Sequence, residues 1–160
     1  MRIPAILVLA VVALCACGRN EPVAASAVVA NASAAGQART STSVGGATLE
    51  TSTVALADLG QAVAARYGID TRNEGMLLLV TVRDAAGDAI DAGDLQLQAT
   101  SAVLPEAPKP LELRRIETAG MTDYIGVVQA RAPASIQFRL TATRGGARAD
   151  IATTSELQPR

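Results

Sequence analysis

Short apolar runs, separated by turn-forming residues, fill the chain from about residue 46 onward. Their length and spacing are typical of strands in a two-layer β domain. The predicted strands are 48–55, 76–82, 95–100, 111–118, 124–130, 135–143 and the segment that follows Gly146. The pattern therefore predicts one all-β domain over residues 46–160.

Two of these strands differ in how their apolar residues are distributed. Residues 76–82 are apolar at both odd and even positions, which predicts a central strand that is buried on both faces. Residues 48–55 are β-branched and only weakly apolar, as expected of an edge strand. An exposed edge at 48–55 would accept an added strand from a partner protein.

A short helix is predicted between these two strands. Asp58 is positioned to cap it, Gln61 follows three residues later as in a capping box, and Gly68 can end it. The residues that share its apolar face are Leu59, Val63 and Tyr67. For Tyr67 we expect core packing, with recognition of a partner as the alternative.

The apolar positions of the last two predicted strands match each other across a two-residue turn. A two-residue turn at 145–146 would place Leu140 opposite Ile151. It would also place Ala142 opposite Ala149, so that both strands bury the same side of the sheet. The sequence therefore predicts a hairpin at its end.

The segment before the last three strands is irregular. The proline-rich stretch 104–110 predicts a connection between sheets, with docking of an extended partner as the alternative. After it, the apolar phase slips between Leu113 and Ile116, which indicates a bulge or bend. About seven strands and one short helix indicate an immunoglobulin-like β-sandwich, without the Cys and Trp residues that pin antibody domains.

The N-terminus predicts export. Arg2 supplies positive charge, and the apolar run 3–14 is shorter than the roughly 20 residues of a membrane-spanning helix. The following Leu-Cys-Ala-Cys sequence ending at Cys17 resembles the lipobox of bacterial lipoproteins, with Cys15 as a departure at its middle position. An ordinary cleaved leader is the alternative.

The lipobox resemblance implies a location. In lipoproteins the signal peptide, here 1–16, is removed and the cysteine, here Cys17, carries acyl chains that hold the protein in a lipid bilayer. Gly18 stands where an Asp would retain a lipoprotein in the inner membrane, so the resemblance implies the periplasmic face of the outer membrane. Residues 17–45, which are small and polar without a period, predict a disordered spacer, with a short helix over 24–35 as the alternative.

Composition excludes several functions. The chain has no His, and both cysteines lie at or before position 17, so a Ser-His or Cys-His nucleophile is not available to the mature domain. Lys109, the single lysine, lies between two prolines and lacks a preceding Ser-x-x-Lys motif. We therefore expect no enzyme, no catalytic residue and no cofactor. A net charge of -1 with scattered arginines gives no footprint for nucleic acid.

Four aspartates form the one conspicuous acidic group. They are Asp84, Asp88, Asp91 and Asp94. Oxygen-rich loops can bind Ca²⁺, but this spacing does not match the EF-hand loop. Turn formation is the main expectation, because Asp and Gly are what hairpin connections require. A metal site at these four residues is the weaker alternative.

The helix region also carries a family resemblance. Residues 63–69, which end in Tyr67-Gly68-Ile69, are followed by Arg72 and the apolar strand. They resemble a family of small exported bacterial proteins catalogued as domain of unknown function 4426. Segments 111–116, 124–125 and 136–140 occupy the places of the family's later strands, although most of its aromatic residues are missing here. The resemblance implies an immunoglobulin-like sandwich in the periplasm and no assigned activity.

Two functions of different classes follow from these patterns. The first is a non-catalytic binding or scaffold module that uses its lipid tether to reach an envelope protein. The second is a small-ligand or Ca²⁺-binding lipoprotein with the four aspartates as its site. The first is preferred, because the sequence offers no pocket for the second.

Overall fold

A computed structural model describes residues 31–33 and 37–160. Within these residues the chain forms ten strands, a 3₁₀ turn (Leu56–Asp58) and one α-helix, α1 (Gln61–Tyr67). The strands are β1 (Asn31–Ser33), β2 (Gln37–Val44), β3 (Ala47–Ala55), β4 (Gly75–Arg83), β5 (Gln96–Val103), β6 (Lys109–Leu111), β7 (Arg114–Thr118), β8 (Met121–Gln129), β9 (Ala134–Arg144) and β10 (Ala147–Leu157). The predicted signal peptide 1–16, Cys17 and the first part of the predicted spacer lie outside the described residues.

The strands form two antiparallel sheets that pack face to face. The first sheet has the order β1-β2-β3-β4-β8-β7 and the second has the order β10-β9-β5-β6. The main core lies between them, where Leu78 and Val80 of β4 belong to one cluster with Phe138 and Leu140 of β9. The predicted all-β sandwich with one short helix is confirmed. No helix in the described part of the chain has the length and apolar character needed to cross a membrane.

A second, smaller core covers the outer face of the first sheet. Its buried members are Leu56, Tyr67, Leu77 and Ile125. Because α1 and the 3₁₀ turn cover this face, β4 is buried on both sides, with Leu78 in the main core and Leu77 under the helix. This arrangement explains the apolar run at 76–82 and confirms that it is a central strand.

The start of α1 differs from the prediction. Asp58 ends the 3₁₀ turn and does not cap α1, whose N-cap is Gly60 without a side-chain hydrogen bond. Val63 is 40% exposed, whereas Tyr67 is only 6% exposed. The 3₁₀ turn buries Leu56 before the helix begins, so it takes the place that the sequence pattern assigned to the first helical turn.

The end of α1 is as predicted. Gly68 has φ 60° and ψ 41°, the left-handed conformation that glycine adopts without strain. The Ile69 N–H donates to Ala64 O at 2.9 Å, and the Gly68 N–H donates to Ala65 O at 3.2 Å. These two bonds are those of a Schellman motif, which satisfies carbonyls that a helix end leaves without partners.

Strand β3 is not an edge strand. It pairs with β2 on one side and with β4 on the other. The folded part therefore begins earlier than residue 46, because β2 covers 37–44 of the predicted spacer. The buried residues of β2 include Thr40 and Val44, of which only Val44 is apolar, so the strand shows no hydrophobic period. The Thr51 hydroxyl donates to Thr40 O at 3.1 Å, so this buried side chain of β3 has a hydrogen-bond partner on β2.

The apolar phase slip near residue 114 and the final hairpin are both explained by the sheet pairing. The phase slip marks a change of sheet: β6 pairs with β5 in the second sheet, and β7 pairs with β8 in the first. Pro110 of the proline-rich stretch lies in β6 at the edge, where its missing N–H is tolerated. The predicted final hairpin is confirmed, with Leu140 opposite Ile151 and Ala142 opposite Ala149.

Candidate functional site

A cleft of about 620 Å³ opens at the end of the sandwich where β3 ends and β4 begins. Val54 and Ala55 of β3 line it together with Ala132 and Leu157, which gives the cleft an apolar floor. Its volume falls in the range of about 300–1,000 Å³ that is usual for sites of small ligands. The end of the sandwich is therefore the candidate binding site.

Charged side chains surround this floor. They are Asp58, Glu74, Glu156 and Arg160. Arg160 forms an ion pair with Asp58 and also donates to Ala57 O at 2.6 Å. Glu156 accepts a hydrogen bond from the Ser135 hydroxyl at 2.7 Å. Glu74 forms no ion pair with the described residues, so its carboxylate is available to a ligand.

Gly75 makes the close strand packing beside the cleft possible. Its φ is 154°, and a Cβ at this position would lie 2.2 Å from Val128 O. The Ala130 N–H also donates to Glu74 O at 3.3 Å. The absence of a side chain at residue 75 therefore fixes how β4 enters the sheet and where Glu74 stands.

A polar opening of about 460 Å³ lies next to the cleft and shares Glu74 with it. Arg72 and Arg131 are among its lining residues. Arg72 donates to Asp70 Oδ1 at 3.0 Å and to Oδ2 at 2.7 Å. Hydrogen bonds from the Arg72 side chain and backbone lower the pKa of Asp70 to about 2. This end of the molecule thus holds charges of both signs around an apolar centre.

Aspartates of the acidic group stabilise turns and a contact between loops. Asp84 Oδ1 accepts from the N–H of Ala86 at 2.8 Å and from that of Asp88 at 2.9 Å. Asp91 accepts from the Gly93 N–H at 2.9 Å. Asp94 accepts from the N–H of Gly145 in the final hairpin at 2.9 Å. The structure does not bring the four together: among the described residues, no group of three or more His, Cys, Asp or Glu is arranged to hold a metal ion.

Arg144 joins the loops at the end of the sandwich opposite the cleft. Its guanidinium donates to the carbonyl oxygens of Gly45 at 2.5 Å, Ala92 at 3.3 Å and Asp91 at 3.0 Å. Sequence reasoning missed this residue, because its three acceptors are backbone atoms of segments far away in the chain. Its only local signal is its position next to the Gly-Gly turn.

Tyr67 has a packing role. Its side chain lies in the small core, and its carbonyl accepts a hydrogen bond from the Arg114 guanidinium of β7. Burial raises the pKa of Tyr67, and the nearby charge of Asp123 raises it further. Asp123 is itself held by Arg83, with 3.1 Å between Nη2 and Oδ1. These contacts fix α1 to the sheet and leave Tyr67 little surface for recognition.

Residues 41–157 match the family model described as Domain of unknown function (DUF4426). The chain is a DUF4426 protein. No curated protein matches it. Among solved structures it is similar to a DUF4426 family protein from Pseudomonas aeruginosa, with 14% identity and a TM-score of 0.59 over 76% of this chain and 96% of that one. The likeness shows that the two DUF4426 proteins share the sandwich fold.

Two further solved structures resemble this DUF4426 protein more distantly. One is FetP of uropathogenic Escherichia coli, recombinantly expressed in the periplasm, with 8% identity and a TM-score of 0.47 over 74% of this chain and 92% of FetP. The other is a copper-bound variant of FetP, with 8% identity and a TM-score of 0.49 over 74% of this chain and 95% of the variant. Both are distant similarities.

Proposed function

We propose that this DUF4426 protein is a lipid-anchored, non-catalytic binding module on the periplasmic face of the outer membrane, and that the end cleft is where it binds. The observation that carries the proposal is the cleft itself. It combines the volume of a ligand site with an apolar floor and charged side chains at its margin. Such a lining suits a peptide segment or small molecule that presents both apolar and charged groups.

The chemistry of the lining supports binding over catalysis. Its functional groups are three carboxylates, one guanidinium and the amide of Gln158. Ser, Cys, His and Lys are not among its described residues, so the carboxylates are the groups left to act as a general base or nucleophile. Asp58 is paired with Arg160 and Glu156 accepts from Ser135, so no second free carboxylate among the described lining residues stands ready to form an acid–base pair with Glu74.

The anchored location rests on the lipobox at Cys17. Thirteen residues lie between Cys17 and Asn31, where β1 begins. Fully extended, such a segment spans at most about 45 Å. A tether of this length lets the cleft reach a partner in the periplasm while the acyl chains stay in the bilayer.

In-cell photo-crosslinking tests this function. A photoreactive residue replaces Gln158 in the cleft, and a matched variant carries it at Gln98, an exposed position outside the cleft. We expect a specific adduct from position 158 and none from position 98. Filling the cleft by Ala57→Trp should abolish the adduct, whereas Ala62→Trp on the exposed side of α1 should leave it unchanged. Equal adducts from both positions, or an adduct that survives Ala57→Trp, would contradict the assignment of the cleft.

A further inference from the structure

Strand β7 is an open edge of the first sheet. Among the described residues it pairs with β8 alone. The other edges are less suited to an added strand. Edge strand β6 contains Pro110, which has no N–H to donate to an added strand. Edge strand β10 is covered by β2, which packs against it, and edge strand β1 has only three residues.

The hairpin geometry shows which backbone groups of β7 point outward. Ala119 and Gly120 both have positive φ, 50° and 78°, and form a two-residue turn between β7 and β8. In such a hairpin the pair that flanks the turn, Thr118 and Met121, is hydrogen-bonded, and the bonding alternates from there. Arg115 and Glu117 therefore direct their N–H and C=O groups away from β8. No backbone hydrogen bond joins these two residues to another described segment.

The side chains of these two residues carry opposite charges. Arg115 Nη2 lies 2.6 Å from Glu117 Oε1, and the two side chains are 46% and 66% exposed. Antiparallel pairing of the edge with itself allows three registers, centred on residue 115, 116 or 117. The outer two place like charges directly opposite each other, which is destabilising. The register centred on Ile116 places each Arg115 opposite a Glu117.

We propose that β7 pairs with β7 of a second copy of this chain, antiparallel and centred on Ile116, so that two first sheets become one continuous sheet. Each Arg115 then exchanges backbone hydrogen bonds with Glu117 of the second copy and forms an ion pair with it. The two half-buried Ile116 side chains meet on the face that carries α1. The pairing is two-fold symmetric, so it closes as a dimer.

Anchoring in a shared membrane allows so short an interface to hold a dimer together. The pairing supplies about four backbone hydrogen bonds and two ion pairs, which in solution gives only a weak complex. Two copies anchored through Cys17 in one bilayer meet at a raised effective concentration, which favours the dimer without any new contact. The dimer therefore belongs to the anchored protein.

Disulfide capture in native membranes tests this dimer. The mature chain has no cysteine other than Cys17, so Ile116→Cys in the full chain introduces one free thiol at the centre of the pairing. Opposed residues at a non-hydrogen-bonded antiparallel pair are close enough for a disulfide. We expect a covalent homodimer on a non-reducing gel, several-fold above that of Thr154→Cys, an exposed position on β10. Equal yields from the two variants would overturn the proposal, and so would a mixed disulfide with a different protein.

Exchanging the charges at residues 115 and 117 distinguishes pairing in the proposed register from mere proximity of two copies. Adding Arg115→Glu to Ile116→Cys places like charges opposite each other and should reduce the dimer to the control level. Adding Glu117→Arg as well restores opposite charges and should restore the dimer. The same three charge states in the chain with Ile116 retained, labelled at Lys109 and compared by energy transfer between copies in lipid vesicles, remove any effect of the cysteine on folding. A dimer that persists with Arg115→Glu alone would contradict the register.

Discussion

At the scale of single residues, Tyr67 links the helix to the sheet. Its ring fills the small core with Leu56, Leu77 and Ile125, and its carbonyl is bound by Arg114. The sequence predicted its burial from helical spacing alone. It could not predict the neighbouring Arg83–Asp123 ion pair, because those residues lie 40 positions apart and meet only through strand register.

Substitution of Tyr67 separates packing from recognition. Tyr67→Ala should lower the free energy of unfolding by about 3–5 kcal/mol, because it leaves a cavity under α1. Tyr67→Phe keeps the ring and should cost about 1 kcal/mol or less. Urea denaturation followed by circular dichroism measures both. A loss for Tyr67→Phe as large as that for Tyr67→Ala would show that the hydroxyl, and not the ring, stabilises this region.

The same pair of variants gives a pH dependence. The pKa of Tyr67 is raised in the folded protein, so the folded state holds the phenolic proton more tightly than the unfolded state does. The resulting stability is fully present below the unfolded value of 10.0 and is lost as the pH rises through the folded pKa. The wild-type protein should therefore lose stability more steeply above pH 10 than Tyr67→Phe does.

At the scale of elements, prediction succeeded where large apolar residues set the pattern. The run at 76–82 and the Gly145-Gly146 hairpin were both placed with the correct burial or register. Strand β2 escaped prediction because its inward residues are small or polar and its stability comes from pairing with β3. Missing β2 made β3 look like an edge, so the open edge was assigned to 48–55 when it lies at β7.

The termination of α1 can be tested with two glycines. Gly68→Ala should cost about 1–2 kcal/mol, because the site has open space but a left-handed backbone that alanine disfavours. Gly60 at the other end also has open space but an ordinary φ of -62°. Gly60→Ala should therefore stay within about 0.5 kcal/mol of wild type. Equal losses in the two thermal or urea unfolding curves would mean that the left-handed cap is not what ends the helix.

At the scale of the whole molecule, the candidate site lies beyond the reach of sequence patterns. The cleft is assembled from residues 54–55, 57–58, 74–75, 132 and 156–160, which share no motif and meet only when both sheets have formed. The family and the sandwich were predictable, since Tyr67-Gly68-Ile69 and the apolar strands are local features. The lipobox resemblance at Cys17 is likewise a local feature, but the anchor that it predicts lies outside the described residues.

Binding of an envelope partner by a cleft on a lipid tether can be tested by comparing the full chain with Cys17→Ser in living cells. Both proteins carry the photoreactive residue at position 158, and their adducts are identified by mass spectrometry. We expect the wild-type chain to fractionate with the outer membrane and to yield a specific adduct, whereas Cys17→Ser should leave the outer-membrane fraction and lose the adduct. An identical adduct from Cys17→Ser would contradict the role of the tether, and no adduct from either protein would contradict binding at the cleft.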